Sequence, residues 1–382
     1  MEGLQTEKHG ASLPESARDG SPNRTVAGRP SRARAHPPVL PLVQVLRGLA
    51  ALSIAFLHMT QQAGAFVGRP GEPAYDWLKP LPWDAGVHVF FVISGFVMVW
   101  ASLPLFGRPG APRLFAARRV ARVAPLYWAA TALFVATAAL APGSVSEGAP
   151  TPSYVLASVL FLPWRRPDGL IQPALGLGWT LNFEMLFYAI FAAFVGFRAR
   201  IAVPCVIGAV AALACAGWLL QPAWTPLAFW TNPIVLEFAF GAALAAVATR
   251  ISASAALRGG LALAGVAGLS VAQHLAIPEG VVYGLPCVAI VAAAVLGPAC
   301  PVRSRPMRFG VRLGDASYAL YLSHPFPMRA LALIWPRTGL TGEPGVLAYV
   351  GAATAASVVF AFLVHRWVER PLTAAARSWL AV

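Results

Sequence analysis

Residues 43–61 read VQVLRGLAALSIAFLHMTQ. The run is apolar and long enough to cross a bilayer, yet it carries Arg47 near one end and His58 deep inside. Eleven residues at about 1.5 Å rise separate these two side chains by roughly 16 Å along a helix axis. That is about half of a hydrocarbon core roughly 30 Å thick. An ionisable group at such a depth is expensive, so it lines a protein interior or a wet cavity and marks a functional position. The alternative use of His58 is a bond to a neighbouring helix, and the rest of the chain has to decide between them.

The remaining composition agrees with a membrane setting. Of 382 residues, 58% are hydrophobic and 12% charged, and mean hydropathy is +0.64. Soluble domains carry about 25% charged residues. The fold class is therefore all-α, a polytopic membrane helical bundle. The formal net charge of +14 does not indicate a nucleic-acid partner, because the basic residues fall between apolar runs rather than along a stripe with interleaved aromatics. Four cysteines, Cys205, Cys215, Cys287 and Cys300, form no CxxC pair and read as small core residues, not as metal ligands or a disulfide framework.

Ten spans are expected, at 42–62, 85–104, 123–141, 178–197, 201–221, 226–249, 259–277, 280–298, 313–335 and 345–364. Segment 153–164 is apolar but about twelve residues long, too short to span easily, and reads as re-entrant or interfacial. With that choice Arg108, Arg118, Arg198, Arg250, Arg305 and Arg366 fall on the cytoplasmic side, as insertion requires. Both termini are then cytoplasmic. Residues 1–39, rich in Pro, Arg, Ser and Gly, are expected to be a disordered tail. Residues 40–373 make the membrane domain and 374–382 a short C-terminal tail.

Several constellations carry chemistry. In GVHVFFVISGFVMVW (86–100), Ser94-Gly95 offers a small face for close helix packing, and His88 sits near the outer end. In FAARRVARVAPLYW (115–128), Arg119 and Arg122 are three apart and share one helix face. Such a pair suits phosphate, which guanidinium forks bind bidentately, although arginines also cluster in any cytoplasmic loop. In GWTLNFEMLFY (178–188), Glu184 is a carboxylate inside an apolar segment, with Asn182 and Trp179 close by. It needs a partner or a wet cavity. Glu237 is a weaker candidate of the same kind. In GDASYALYLSHPF (314–326), Tyr318 and Tyr321 follow each other around one face, and His324-Pro325 marks a kink that brings a second histidine to mid-membrane. HRWVERPL (365–372) reads as a cytoplasmic ion-pair cap. No Walker loop, HExxH or GxSxG is present, so the ionisable groups serve proton transfer and anion binding.

Taken together, RGLAALSIAFLH, GVHVFFVISGF, RRVARVAPLYW, WTLNFEMLFY, SYALYLSHP and VERP occur in the order and spacing of the membrane acyltransferase-3 family. The resemblance covers about residues 42–373 and is strongest to the branch similar to exopolysaccharide O-acetyltransferases. It implies transfer of an acyl group, commonly acetyl from acetyl-CoA, to a hydroxyl of an extracytoplasmic glycan. The implied setting is multi-pass in the bacterial cytoplasmic (inner) membrane. The implied roles are catalytic for His58, Glu184 and Arg47, and acyl-CoA binding for Arg119 and Arg122. Asn182, His324, Tyr321, Trp179 and His88 are left to acceptor binding or support, with acyl-CoA as donor substrate and no bound cofactor or metal. His88 stands where the family often has an acid. A rival reading with the same buried charges is a secondary transporter or glycan flippase, which turns over no acyl-CoA.

Overall fold

The computed structural model describes residues 40–69, 72, 74–75, 82–140, 150–166, 168–298 and 300–382. The expected N-terminal tail, residues 1–39, lies outside them. In chain order the α-helices are α1 (Pro41–Gly64), α2 (Ala85–Ser102), α3 (Ala111–Leu140), α4 (Pro152–Val159), α5 (Trp179–Phe194), α6 (Ala199–Leu220), α7 (Thr225–Trp230) and α8 (Leu236–Ala248). They continue with α9 (Ala255–Ala272), α10 (Glu279–Val282), α11 (Gly284–Val295), α12 (Arg305–Asp315), α13 (Ser317–Ser323), α14 (Pro325–Ile334), α15 (Gly342–Val364) and α16 (Arg370–Trp379). Among the described residues there is no strand, only an isolated bridge between Arg165 and Ile171.

Seven helical stretches among the described residues are long and apolar enough to cross a membrane: α1, α2, α3, α5, α6, α9 and α15 with its extension. Residues 233–248 and 279–295 are apolar but shorter. The chain is a multi-pass membrane protein, and an all-helical one because only helices or closed barrels satisfy every backbone group in lipid. Three of the expected spans are interrupted rather than continuous. Residues 226–249 break at Thr231-Asn232, where the Asn232 side chain accepts from the Ile234 N–H at 2.9 Å and starts a new turn. Residues 280–298 break at Tyr283. Residues 313–335 break at Ala316 and again at His324, where Pro325 supplies no N–H to the preceding turn. Segment 153–164 forms only the eight-residue α4, capped by the Thr151 hydroxyl on the Tyr154 N–H, with Leu156, Leu160, Leu162 and Trp164 exposed. Residues 374–379 continue α16, so helix runs almost to the end of the chain.

Helix α2 is the hub: 72% of its apolar window is buried, against 17% for α9. Two glycines explain how tightly it meets α8. A Cβ on Gly95 would collide with the Phe238 carbonyl, and one on Gly241 with the Val92 carbonyl. Small residues at facing positions let the two backbones touch, and close packing of this kind is what holds helices together where lipid is as apolar as leucine. Beside this pair Phe187 stacks on Phe238, and Phe91 lies tilted against the same ring, fixing α5 against α2 and α8. The α2 face opposite α8 is left to polar groups from α1, α3, α5 and α13.

Candidate active site

That face opens on a cavity of about 140 Å³. Arg47 of α1, Arg119 and Arg122 of α3, Ser94 of α2, Thr180, Glu184 and Tyr188 of α5, and Tyr318 and Tyr321 of α13 all line it. The helical spacing of the RxxR pair projects both guanidinium groups to this one side. Glu184 accepts from the Tyr188 hydroxyl one turn later on α5 and from Ser94 Oγ at 3.2 Å. Arg122 lies 3.8 Å from Glu369, and Glu369 is drawn in by a π-helical turn, His365–Glu369, that also puts it 2.8 Å from His365 Nδ1. The expected cytoplasmic cap of HRWVERPL is thus tied to the cavity through Arg122.

Among the described residues, neither Arg47 nor Arg119 lies within ion-pair distance of a carboxylate. Arg47 donates only to Gln44 Oε1, at 3.3 Å. Arg119 stacks on Phe115 at 5.3 Å, and its Nε has no hydrogen-bond partner. Three guanidinium groups therefore face one cavity with Glu184 and Glu369 as the nearby carboxylates. A positive excess enclosed by low-dielectric walls attracts anions more strongly than the same charges in water.

At one end of the cavity Tyr321 donates to the Leu177 carbonyl at 2.8 Å, and its hydroxyl lies 2.9 Å from that of Thr180. Tyr318 donates to the Val123 carbonyl at 2.7 Å. Both tyrosines are thereby held as fixed walls. One turn beyond Tyr321, His324 meets His58: His58 Nδ1 and His324 Nε2 are 2.9 Å apart, and the rings stack at 5.2 Å. The second nitrogen of His324, Nδ1, is 3.0 Å from the Leu320 carbonyl. A carbonyl can only accept, so Nδ1 of His324 carries hydrogen. In the neutral ring Nε2 is then an acceptor, and His58 Nδ1 must donate to it. It follows that neutral His58 keeps the lone pair of Nε2 available. His324 is fully buried while His58 is partly accessible, so the open nitrogen belongs to the reachable ring.

The other candidates lie elsewhere. Trp179 is half-buried, edge-on to Phe91 and Phe183, outside the cavity wall. Asn182 is buried outside it too, with neither amide atom hydrogen-bonded. His88 and Glu237, unconnected in the sequence, form a buried pair: Nδ1 to Oε1 is 2.6 Å. Glu279 approaches the other His88 nitrogen at 3.6 Å, and Tyr283 stacks on the ring at 4.5 Å. One cation was missed by the sequence reading altogether, Arg329 on α14, although a charge in the apolar run PFPMRALALI was the signal that could have found it.

The acyltransferase domain family matches residues 42–366. The chain is 35% identical over 306 residues to the exopolysaccharide production protein ExoZ of Rhizobium meliloti (strain 1021), covering 77% of this chain and 90% of that protein. It is 28% identical over 377 residues to the acyltransferase MdmB of Streptomyces mycarofaciens, covering 87% of this chain and 91% of that one. No solved structure matches.

Proposed function

The chain belongs to the acyltransferase-3 family, and on that premise we propose that it moves an acetyl group from acetyl-CoA to a hydroxyl of an extracytoplasmic glycan. The observation that carries the reading is the unshared lone pair on His58 Nε2, one turn beyond a cavity lined by three arginines, two of them without a carboxylate partner. Arg47, Arg119 and Arg122 hold the phosphates of CoA from the cytoplasmic side, with Glu369 steadying Arg122. His58 takes the proton of the acceptor hydroxyl as its oxygen attacks the thioester carbonyl carbon. The C–O ester bond forms, the C–S bond breaks, and the imidazolium returns its proton to the CoA thiolate. His324 holds the His58 tautomer and accepts from Nδ1–H throughout. A well-placed base of this kind contributes typically about 10²–10⁴-fold. Glu184 and Tyr321 orient the reactants between the two ends. The printed name of the Rhizobium relative, which refers to exopolysaccharide production, supports a polysaccharide acceptor.

The setting is the bacterial inner membrane, with ten passes, α4 lying in the outer interface and both termini cytoplasmic. The broken stretches 225–248, 279–295 and 305–334 each count as one pass. The reading is tested with purified protein in detergent: CoA release from acetyl-CoA should depend on added polysaccharide, and the acetyl label should appear in it as an ester. Labelled acetyl-CoA left unconsumed with every glycan tried would sink the reading in favour of a transporter. For the topology, in a background without the native cysteines, a cysteine at Gly169 should react with an impermeant thiol reagent on whole cells. One at Ala375 should not, and the reverse pattern would mean that the α4 segment spans.

A further inference from the structure

The cavity wall leaves one oxygen of Glu184 unused. Both hydrogen bonds to this side chain, from the Tyr188 hydroxyl and from Ser94 Oγ, end on Oε1. Among the described residues Oε2 accepts none, and no guanidinium lies within ion-pair distance of it, although Arg47, Arg119 and Arg122 line the same cavity. A carboxylate offers acceptors only, so whatever completes Oε2 must bring an N–H or an O–H. Depth narrows the choice. Helix α5 runs inward from Thr180, whose hydroxyl lies 2.9 Å from that of Tyr321 at the histidine end of the cavity. Glu184 is one turn further in, roughly 6 Å along the axis. On α13, Ser317 stands one turn inward of Tyr321, at about the same depth. It also lines the cavity, is fully buried, and its Oγ has no hydrogen-bond partner.

At this level the wall lacks one donor, for Glu184 Oε2, and one acceptor, for the Ser317 hydroxyl. Ile93, Val97, Met98 and Leu181 add apolar surface around them. A secondary amide flanked by methylenes matches such a wall: its N–H and its carbonyl fill the two gaps, and its neighbours stay in apolar contact. The reacting hydroxyl of a glycan belongs on the other side of the Thr180–Tyr321 contact, next to His58. We propose that Glu184 Oε2 accepts the N–H of one of the two amides in the pantetheine arm of the donor, with the Ser317 hydroxyl turned to that amide's carbonyl. This rests on the acyl-CoA reading above. Arg47 and His58 are set roughly 16 Å apart along α1, a span that the extended arm bridges from pyrophosphate to thioester. Glu184 holds the arm part-way along that path, and it belongs to the donor site rather than to the acceptor. The site thereby selects a pantetheine thioester over an acyl phosphate, which brings an anion but no amide.

The test measures binding of three ligands to the full-length protein in detergent: a non-hydrolysable ketone analogue of acetyl-CoA, and two forms of it in which one or the other pantetheine N–H is replaced by an ester oxygen. Wild type should bind one ester form about tenfold or more weaker than the parent analogue, the weight of a charge-assisted hydrogen bond. Which ester form is penalised identifies the amide. Glu184→Gln keeps an oxygen for Tyr188 and Ser94 but turns an N–H toward the arm. It should bind the parent about tenfold or more weaker than wild type does, and its ratio between parent and ester form should fall to near one. Glu184→Asp, which withdraws the carboxylate by one methylene, should keep a reduced ratio, and it decides the matter if the glutamine variant does not fold. Equal binding of all three ligands by wild type overturns the inference while leaving acyl transfer standing. So does a glutamine variant that keeps the wild-type ratio, which would return Glu184 to the acceptor. Binding of none of the three by wild type overturns the acyl-CoA reading and this inference with it.

Discussion

Two histidines in this protein are partnered at nearly the same distance and can do opposite things. His58 meets His324 at 2.9 Å, and His88 meets Glu237 at 2.6 Å. His324 spends its Nδ1–H on a backbone carbonyl, so His58 must donate through Nδ1 and Nε2 is left open. His88 has a carboxylate near each ring nitrogen, Glu237 on one side and Glu279 on the other, with Tyr283 stacked over its face. Neither His88 nitrogen faces open space, since Glu237 is within hydrogen-bond distance of one and Glu279 lies 3.6 Å from the other, and the ring is 3% exposed. Neither depth nor residue type separates a base from a structural histidine. What separates them is whether the partner's remaining valence forces a lone pair outward, toward a reachable surface.

The largest expected difference is in turnover. His58→Ala should lower the rate by on the order of 10²–10⁴, the share of a positioned general base, whereas His88→Asn should stay within about tenfold of wild type because an amide can still donate to Glu237. Steady-state CoA release measures both. If the His88 variant falls as far as the His58 variant, the contrast between the two pairs is wrong. Next in size is the role of the partners. His324→Ala removes the acceptor that sets the His58 tautomer, and it should slow turnover by about 5–150-fold, the equivalent of one buried hydrogen-bond partner at roughly 1–3 kcal/mol. A ring at position 58 that works equally well without His324 would show that the tautomer is set by something else. The smallest effect on rate falls on the second pair. Glu237→Ala should leave the rate within a few-fold but cost about 1–3 kcal/mol of stability through a buried unpartnered imidazole, seen as a lower midpoint in thermal unfolding in detergent. Unchanged stability would mean that His88 finds Glu279 sufficient.

The helices and the chemistry of single positions were readable in the sequence, but their pairing was not. Apolar run length locates α1, α2, α3 and α15, and the proline after His324 marks the break between α13 and α14. Spacing alone puts Arg119 and Arg122 on one face. The sequence does not encode in any local way how each helix is rotated about its axis relative to its neighbours. That rotation is set by contacts such as Gly95 against Phe238 and Gly241 against Val92. It is why Glu184 shares a cavity with the arginines while Asn182, two residues earlier and on another face, does not. It is also why Glu237 was legible only as an isolated charge and Glu369 only as part of a local cap, their partners lying 149 and 247 residues away along the chain.

The central claim is a division of labour, with the arginine cavity holding the donor and His58 carrying the proton. It is tested most directly by measuring two quantities on one variant, His58→Gln: affinity for a non-hydrolysable acetyl-CoA analogue, and CoA release with acceptor present. The account predicts a dissociation constant within about twofold of wild type alongside turnover reduced by on the order of 10²–10⁴. Substantial turnover in this variant, or analogue binding lost together with turnover, would contradict it.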